Sequence, residues 1–168
     1  MNKIDPSLAV YRGLRRAGID FAASVPCVNL KELLCLVGSD PGIIHIPVTR
    51  EEEGVGICAG AWMADRRPAL LMQNSGLGNS INALASLDLL YRIPLLMIVS
   101  QRGSRGETIS GQIPMGRLTE PLLRTMDITV LTPQPAEAEA TLSRAWALAS
   151  GRRTPVAVLL DIDFWRGD

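Results

Sequence analysis

Apolar positions along this chain fall into two alternating kinds of run. Short, β-branched stretches bounded by Gly, Pro or Asp cover residues 21–25, 43–46, 69–72, 95–99, 128–131 and 156–160. They lack the in-out alternation of a half-exposed strand, so they predict strands covered on both faces. Between them lie helix-length segments at 6–17, 29–37, 51–63, 79–91, 117–125 and 135–149. Regular alternation of the two kinds predicts an α/β fold: a three-layer, doubly wound, largely parallel six-stranded sheet.

Several boundaries carry their own chemistry. Asn29 is placed to N-cap the helix that follows, Gly18 reads as a C′ glycine behind a basic last turn, and Pro135 suits a first helical turn. The stretch 101–116, with Gly103, Gly106 and Gly111, is the one long segment without apolar periodicity, and loops of that length usually carry function.

At 168 residues the chain supports one domain with a real core rather than two. Lys plus Arg and Asp plus Glu balance at 17 each, so no overall field draws it to nucleic acid or to an anionic membrane surface. No uncharged stretch reaches the roughly 20 residues that span a bilayer, and the N-terminus lacks the apolar core of a signal peptide. A cytoplasmic protein is expected. Cys27, Cys35 and Cys58 are odd in number and lack Cys-x-x-Cys spacing, which predicts reduced, mostly buried thiols rather than a disulfide framework or a zinc site.

Ligands of open α/β sheets collect at the carboxyl ends of the strands. Four informative segments fall there: Pro26-Cys27-Val28-Asn29, Arg50-Glu51-Glu52-Glu53, Met72 to Asn79, and the long loop. Gly76-Leu77-Gly78-Asn79 serves either as a tight strand-to-helix turn capped by Asn79 or as a backbone cradle for a negative group. It is no Walker motif, because Gly-Lys-Ser/Thr is missing. Three glutamates at a helix start suit the positive end of the helix dipole, which accounts for at least two of them. Behind them Gly54, Gly56, Ala59, Gly60 and Ala61 predict a nearly bare helical surface, against which a second helix or subunit can pack and bury the inward-pointing acid. His45, the single histidine, reads as a core or strand-end residue, and no Ser-His-Asp set or metal cluster assembles around it. Arg50, Arg102, Arg105 and Arg117 are candidate anion ligands that otherwise read as surface arginines.

Ser24 to Lys31, Val48 to Gly54, Met72 to Asn79 and Gly111 to Gly116 together resemble the pyrimidine-binding (PYR) domain of thiamine-diphosphate-dependent 2-oxoacid decarboxylases. The likeness extends over nearly the whole chain and is closest to the sulfopyruvate decarboxylase alpha-subunit branch; phosphonopyruvate decarboxylases, longer single chains, are similar over 72–79. The resemblance implies that residues 1–168 form a single PYR domain. It further implies that Glu51, nine residues before Gly60, is the catalytic acid contacting N1′ of the cofactor's aminopyrimidine, with Glu52 the alternative register. Pro26, Cys27, Val28, Gln73, Gly76, Leu77, Gly78 and Asn79 would line the cofactor, and Gln112, Arg102 and Arg105 are its substrate-binding candidates.

The family's Gly-Asp-Gly…Asn diphosphate-and-metal motif is absent, and Asp161-Ile162-Asp163 does not replace it. By resemblance, the pyrophosphate-binding (PP) domain lies on a separate beta subunit that shares the thiamine diphosphate and binds a divalent metal such as Mg2+, while alpha subunits self-associate. The implied reaction is decarboxylation of 3-sulfopyruvate to sulfoacetaldehyde and CO2 in coenzyme M biosynthesis. A split phosphonopyruvate or other 2-oxoacid decarboxylase would use the same residues. A non-catalytic α/β nucleotide-binding or regulatory module is the reading from another class, and Glu51 followed by a small-residue helix stands against it.

Overall fold

The computed structural model describes residues 4–167. In chain order the elements are α1 (Pro6–Arg16), β1 (Phe21–Ser24), α2 (Lys31–Gly38), β2 (Ile44–Pro47), α3 (Glu51–Met63), β3 (Pro68–Gln73), α4 (Ser75–Ala83), β4 (Leu96–Ser100), α5 (Ile113–Thr125), β5 (Thr129–Leu131), α6 (Ala138–Arg152), β6 (Val156–Leu160) and α7 (Ile162–Arg166). All six strands run parallel in the order β2-β1-β3-β4-β6-β5. From β1 the chain crosses to β2 on one side and returns to β3 on the other, so β1 and β3 flank a topological switch point.

Two hydrophobic layers sandwich the sheet, and the pleat divides each strand between them. Ala69, Leu71, Leu96 and Ile98 join Leu14, Leu33, Leu142 and Phe164 on the α1, α2, α6 and α7 side. Leu70, Met72, Met97 and Val99 join Val55, Cys58, Leu77 and Leu123 on the α3, α4 and α5 side. The doubly covered pattern therefore holds at the centre of the sheet. It fails at the edges, where β2 is largely exposed and β5 half-buried, because an edge strand has a neighbour on one side only.

Other boundaries differ from the sequence reading for identifiable reasons. α4 and α5 each begin before their first strongly apolar turn: Gly76 and Gly78 in one, Pro114 and Gly116 in the other, mask a helix start with residues of poor helix propensity. Asn29 sits inside a 3-10 turn, Val28–Leu30, and caps nothing; its amide donates to Ser100 Oγ at 3.2 Å. The short α7 was not anticipated; Asp161 caps it by accepting from Phe164 N at 2.8 Å. Of the cysteines only Cys58 is buried, with Cys27 intermediate and Cys35 exposed. Burial pushes the Cys58 thiol up to about 12, which makes it inert.

Beyond Ala83 the fourth helix continues as a π-helical segment, Leu84–Leu89. Asp88 lies in it, buried, and neither carboxylate oxygen has a hydrogen-bond partner. Its desolvation pushes the carboxyl up to about 7. Among the described residues no helix is long and apolar enough to cross a membrane.

Candidate active site

The carboxyl ends of β1 and β3, with the start of α5, bring four polar side chains together at the switch point. Gln73, the last residue of β3, donates from Nε2 to Ser75 Oγ at 2.8 Å and to Gln112 Oε1 at 3.1 Å. Cys27 Sγ, just beyond β1, approaches Gln73 Oε1 at 3.6 Å. A strand end, a post-strand turn and the start of α5 are thus tied by one amide network.

Beside it the three glutamates separate into three roles. Glu53 caps its own helix, accepting from Thr49 N, Thr49 Oγ1 and Arg50 N at 3.2, 2.9 and 3.3 Å. Glu52 is half-buried and pairs with Arg50 through Oε1, while its Oε2 is buried without a hydrogen-bond partner. The hydrogen bond from Arg50 holds the Glu52 carboxyl below its usual range. Glu51 alone points inward and is 7% exposed. Its carboxylate lies on the bare Cα of Gly76, where an added Cβ would fall 2.2 to 2.5 Å from Glu51 Cγ, Cδ and Oε1. Asn79 Nδ2 donates to Glu51 Oε2 at 3.0 Å. Among the described residues no other side chain or loop donor reaches the carboxylate.

Burial of Glu51 is therefore the work of its own chain. The small residues of α3 do not form one bare surface either. Gly54, Ala59 and Ala61 face inward, and a Cβ on Gly54 would meet Leu70 Cδ1 at 2.6 Å. Gly56 and Gly60 face outward with nothing within 4 Å of such an atom. The helix thus packs tightly on the sheet with one side and offers a smooth strip on the other.

The long loop after β4 is built around Glu107. This carboxylate accepts from Arg102 Nε and Nη2, both at 2.8 Å, and from the backbone N–H groups of Gly103, Thr108 and Ile109 at 3.1, 3.0 and 2.9 Å. Arg102 first, then the Gly103 and Ile109 N–H groups, hold the Glu107 carboxyl far below the usual carboxylate range. Asn74 locks the loop to β3: its side chain accepts from Arg102 N and donates to Arg102 O, each at 3.0 Å, and also reaches Thr119 Oγ1 at 2.9 Å.

Of the residues singled out in the sequence, Cys27, Gln73 and Gln112 converge, and Glu51, Gly76 and Asn79 form a second group beside them. Pro26 and Val28 are exposed at the rim, Val28 at 83%. Leu77 does not line the site; it is buried in the core beneath α4. Gly76 to Asn79 lie within α4 rather than in a turn before it, so Asn79 is no N-cap. Arg102 is engaged inside its loop and Arg105 is exposed. A cleft of about 430 Å³ runs between Val28, Arg102, Ile109, Trp165 and Arg166. Sequence reasoning did not anticipate the roles of Glu107, embedded among the polar and glycine residues of the aperiodic loop, or of Asn74, which sits between β3 and α4 and bonds to residues far along the chain. His45 accompanies Ser24, Oγ to Nε2 at 2.8 Å, and burial lowers its pKa, in keeping with a strand-end residue.

The family described as thiamine pyrophosphate enzyme, N-terminal TPP binding domain, matches residues 7–122. Sulfopyruvate decarboxylase subunit alpha of Methanothermobacter thermautotrophicus is 55% identical over 164 residues, which cover 97% of this chain and 99% of that one. The sulfopyruvate decarboxylase of Methanosarcina acetivorans is 42% identical over 129 residues, 77% of this chain but 33% of the longer relative. The fold recurs in the 2-oxoglutarate:ferredoxin oxidoreductase of Magnetococcus marinus, with a TM-score of 0.76 at 17% identity over 96% of this chain and 29% of that one. This chain belongs to the N-terminal TPP-binding domain family of thiamine pyrophosphate enzymes, within the branch of sulfopyruvate decarboxylase alpha subunits.

Proposed function

We propose that this chain is the alpha subunit of a thiamine-diphosphate-dependent sulfopyruvate decarboxylase, holding the aminopyrimidine half of the cofactor where α3 meets α4. The observation that carries the reading is the seat of Glu51, a buried carboxylate with one oxygen engaged and the other left without a donor. Such a group fits a ring nitrogen that gains and loses a proton. Near-full-length identity to sulfopyruvate decarboxylase alpha subunits favours 3-sulfopyruvate over phosphonopyruvate as substrate. The products are sulfoacetaldehyde and CO2, and the reaction would serve coenzyme M biosynthesis in the cytoplasm.

Thiamine diphosphate, when bound, supplies the nucleophilic carbon and the electron sink for loss of CO2. Glu51 holds the proton at N1′. The packing of α3 on α4 keeps water from the back of that carboxylate, and the Cys27–Gln73–Gln112 network fixes the adjoining wall. Val28 and Ile109 supply exposed apolar surface at the rim. Because Arg102 is bound to Glu107, Arg105 or an arginine of the partner is the better ligand for the sulfonate. Among the described residues no group of three or more His, Cys, Asp or Glu is placed to hold a metal ion. We assign the diphosphate and a divalent ion such as Mg2+ to a PP domain on a separate beta subunit, with the cofactor lying across the interface and the alpha subunits associating with one another.

The test is reconstitution. This chain, the candidate beta subunit and their mixture are each supplied with cofactor, Mg2+ and one of 3-sulfopyruvate, phosphonopyruvate or pyruvate, and aldehyde and CO2 are followed. Turnover by the mixture alone, fastest on sulfopyruvate, is expected. Turnover by rigorously partner-free chain overturns the split site, and a preference for phosphonopyruvate reassigns the substrate.

A further inference from the structure

We infer that Asn79 is the positioning residue of Glu51, acting through its side-chain amide to hold one carboxylate oxygen so that the other faces the cofactor. The inference rests on the cofactor role proposed for Glu51 and adds a residue that works only through it.

Asn79 is the fifth residue of α4, one turn beyond the helix start. Its backbone N–H is directed into the helical ladder and is not among the free donors at the helix mouth. A backbone cradle for a ligand is thus not available from this residue. Its side chain has a different task. Gly76 and Asn79, three apart, share one face of α4, and that face meets the first turn of α3. Gly76 contributes empty space, which lets the Glu51 carboxylate lie flat against the helix. Asn79 contributes the donor, with Nδ2 3.0 Å from Oε2. The amide must present its NH2 here, since its carbonyl would set two acceptors against each other. Ser80, fully buried, back-bonds to Gly76 O at 2.8 Å and fixes the turn carrying both residues.

With Oε2 engaged, the carboxylate loses its freedom to rotate about the last side-chain bond, and Oε1 has one direction to offer. A loosely held carboxylate would populate the productive orientation only part of the time, and a misplacement of a fraction of an ångström slows proton transfer. Because hydrogen bonds to charged groups contribute more than neutral ones, loss of this donor is expected to slow the proton step by about tenfold or more.

The experiment measures hydrogen–deuterium exchange at C2 of thiamine diphosphate bound to the assembled complex, for parent, Asn79→Ala, Glu51→Gln and the double variant. In parallel, the Glu51 carboxyl carbon is titrated by NMR in the cofactor-free chain, for parent and Asn79→Asp. Asn79→Ala should slow exchange about tenfold or more with little change in cofactor affinity, and the double variant should be no slower than Glu51→Gln. The isosteric Asn79→Asp, which replaces a donor with a like charge, should move the Glu51 titration upward by about one unit. Unchanged exchange in Asn79→Ala overturns the inference, as does equal slowing by Asn79→Ala in the Glu51→Gln background or an unmoved titration in Asn79→Asp. Normal exchange in Glu51→Gln overturns the proposed function instead, and the titration alone then decides whether Asn79 holds the carboxylate.

Discussion

The α3–α4 junction and the loop after β4 each enclose a glutamate, and they treat it in opposite ways. Glu107 receives five hydrogen bonds, so its accepting capacity is filled and its charge is fixed. Glu51 receives one, from Asn79, and keeps an oxygen in reserve. A saturated carboxylate organises its surroundings; an unsaturated one remains able to react. The third enclosed acid, Asp88, receives none and so marks the other limit, where burial itself drives the group toward its neutral form. Hydrogen-bond donors separate these three buried carboxyls more sharply than burial does.

The strongest way to break the contrast is to remove the reserve oxygen's chemistry. Glu51→Gln should reduce C2 exchange in the assembled complex by about 10²- to 10⁴-fold, the usual contribution of general acid–base assistance, while cofactor affinity changes little. Glu52→Gln should be mild, because Glu52 is turned to Arg50. Gly76→Ala should approach the Glu51→Gln value, since its methyl would overlap Glu51 Cγ and Cδ. Gly78→Ala is the control: its methyl meets only Met115 Sδ, at 3.9 Å. Equal behaviour of the two alanines would show that Gly76 is not a seat for the carboxylate.

Removing the saturated acid should produce a different defect. Glu107→Ala strands the Arg102 guanidinium and three backbone donors, so limited proteolysis should cut within residues 102–109 while circular dichroism shows the sheet and helices intact. Glu107 has a depressed folded pKa, so its contribution is present above the usual carboxylate range and is lost only as pH falls through the folded value. Loop cleavage in the parent should therefore rise at acid pH. A cleavage rate in Glu107→Ala equal to that of the parent at neutral pH would mean that the loop does not depend on this acid.

Asp88 reverses the sign. Its folded pKa of about 7 lies above that of an unfolded aspartate, so between about pH 4 and 7 the folded state binds more protons and stability falls as pH rises, by at most about 1.4 kcal/mol per unit. Above pH 7 the penalty is constant. Urea unfolding from pH 4 to 9 should show this slope in the parent and lose it in Asp88→Asn; a slope that persists in the variant would assign it to other groups.

The smallest expected effect concerns the outer strip of α3. Gly60→Ala should stabilise the free chain by up to about 1 kcal/mol, because its side chain enters open space. Gly60→Leu should leave the free chain folded yet weaken assembly with the partner in sedimentation, as expected where a close contact is overfilled. Normal assembly and activity of that variant would place the strip in solvent.

Residue chemistry made the layered α/β order and the segment 51–63 legible, because strand runs covered on both faces and an acid-rich helix start leave local marks. The helix starts at Ser75 and Ile113 were hidden by glycine and proline, whose low propensity says turn while tertiary packing says helix. Side-chain pairing was hidden too. Glu51 and Asn79 lie 28 residues apart, and Asn74 is tied to a loop backbone at the same separation. Local patterns carry no information about partners at that distance, so Asn79 looks like a cap and Arg102 like a free cation until the chain is folded.

Every part of the Glu51 seat, from Glu51 through Gly76 to Asn79, comes from one uninterrupted helix–strand–helix stretch. The seat is therefore heritable as a cassette. A genetic joint that falls outside the domain leaves its geometry whole, so neighbouring domains can be gained or lost without rebuilding the place where the acid sits.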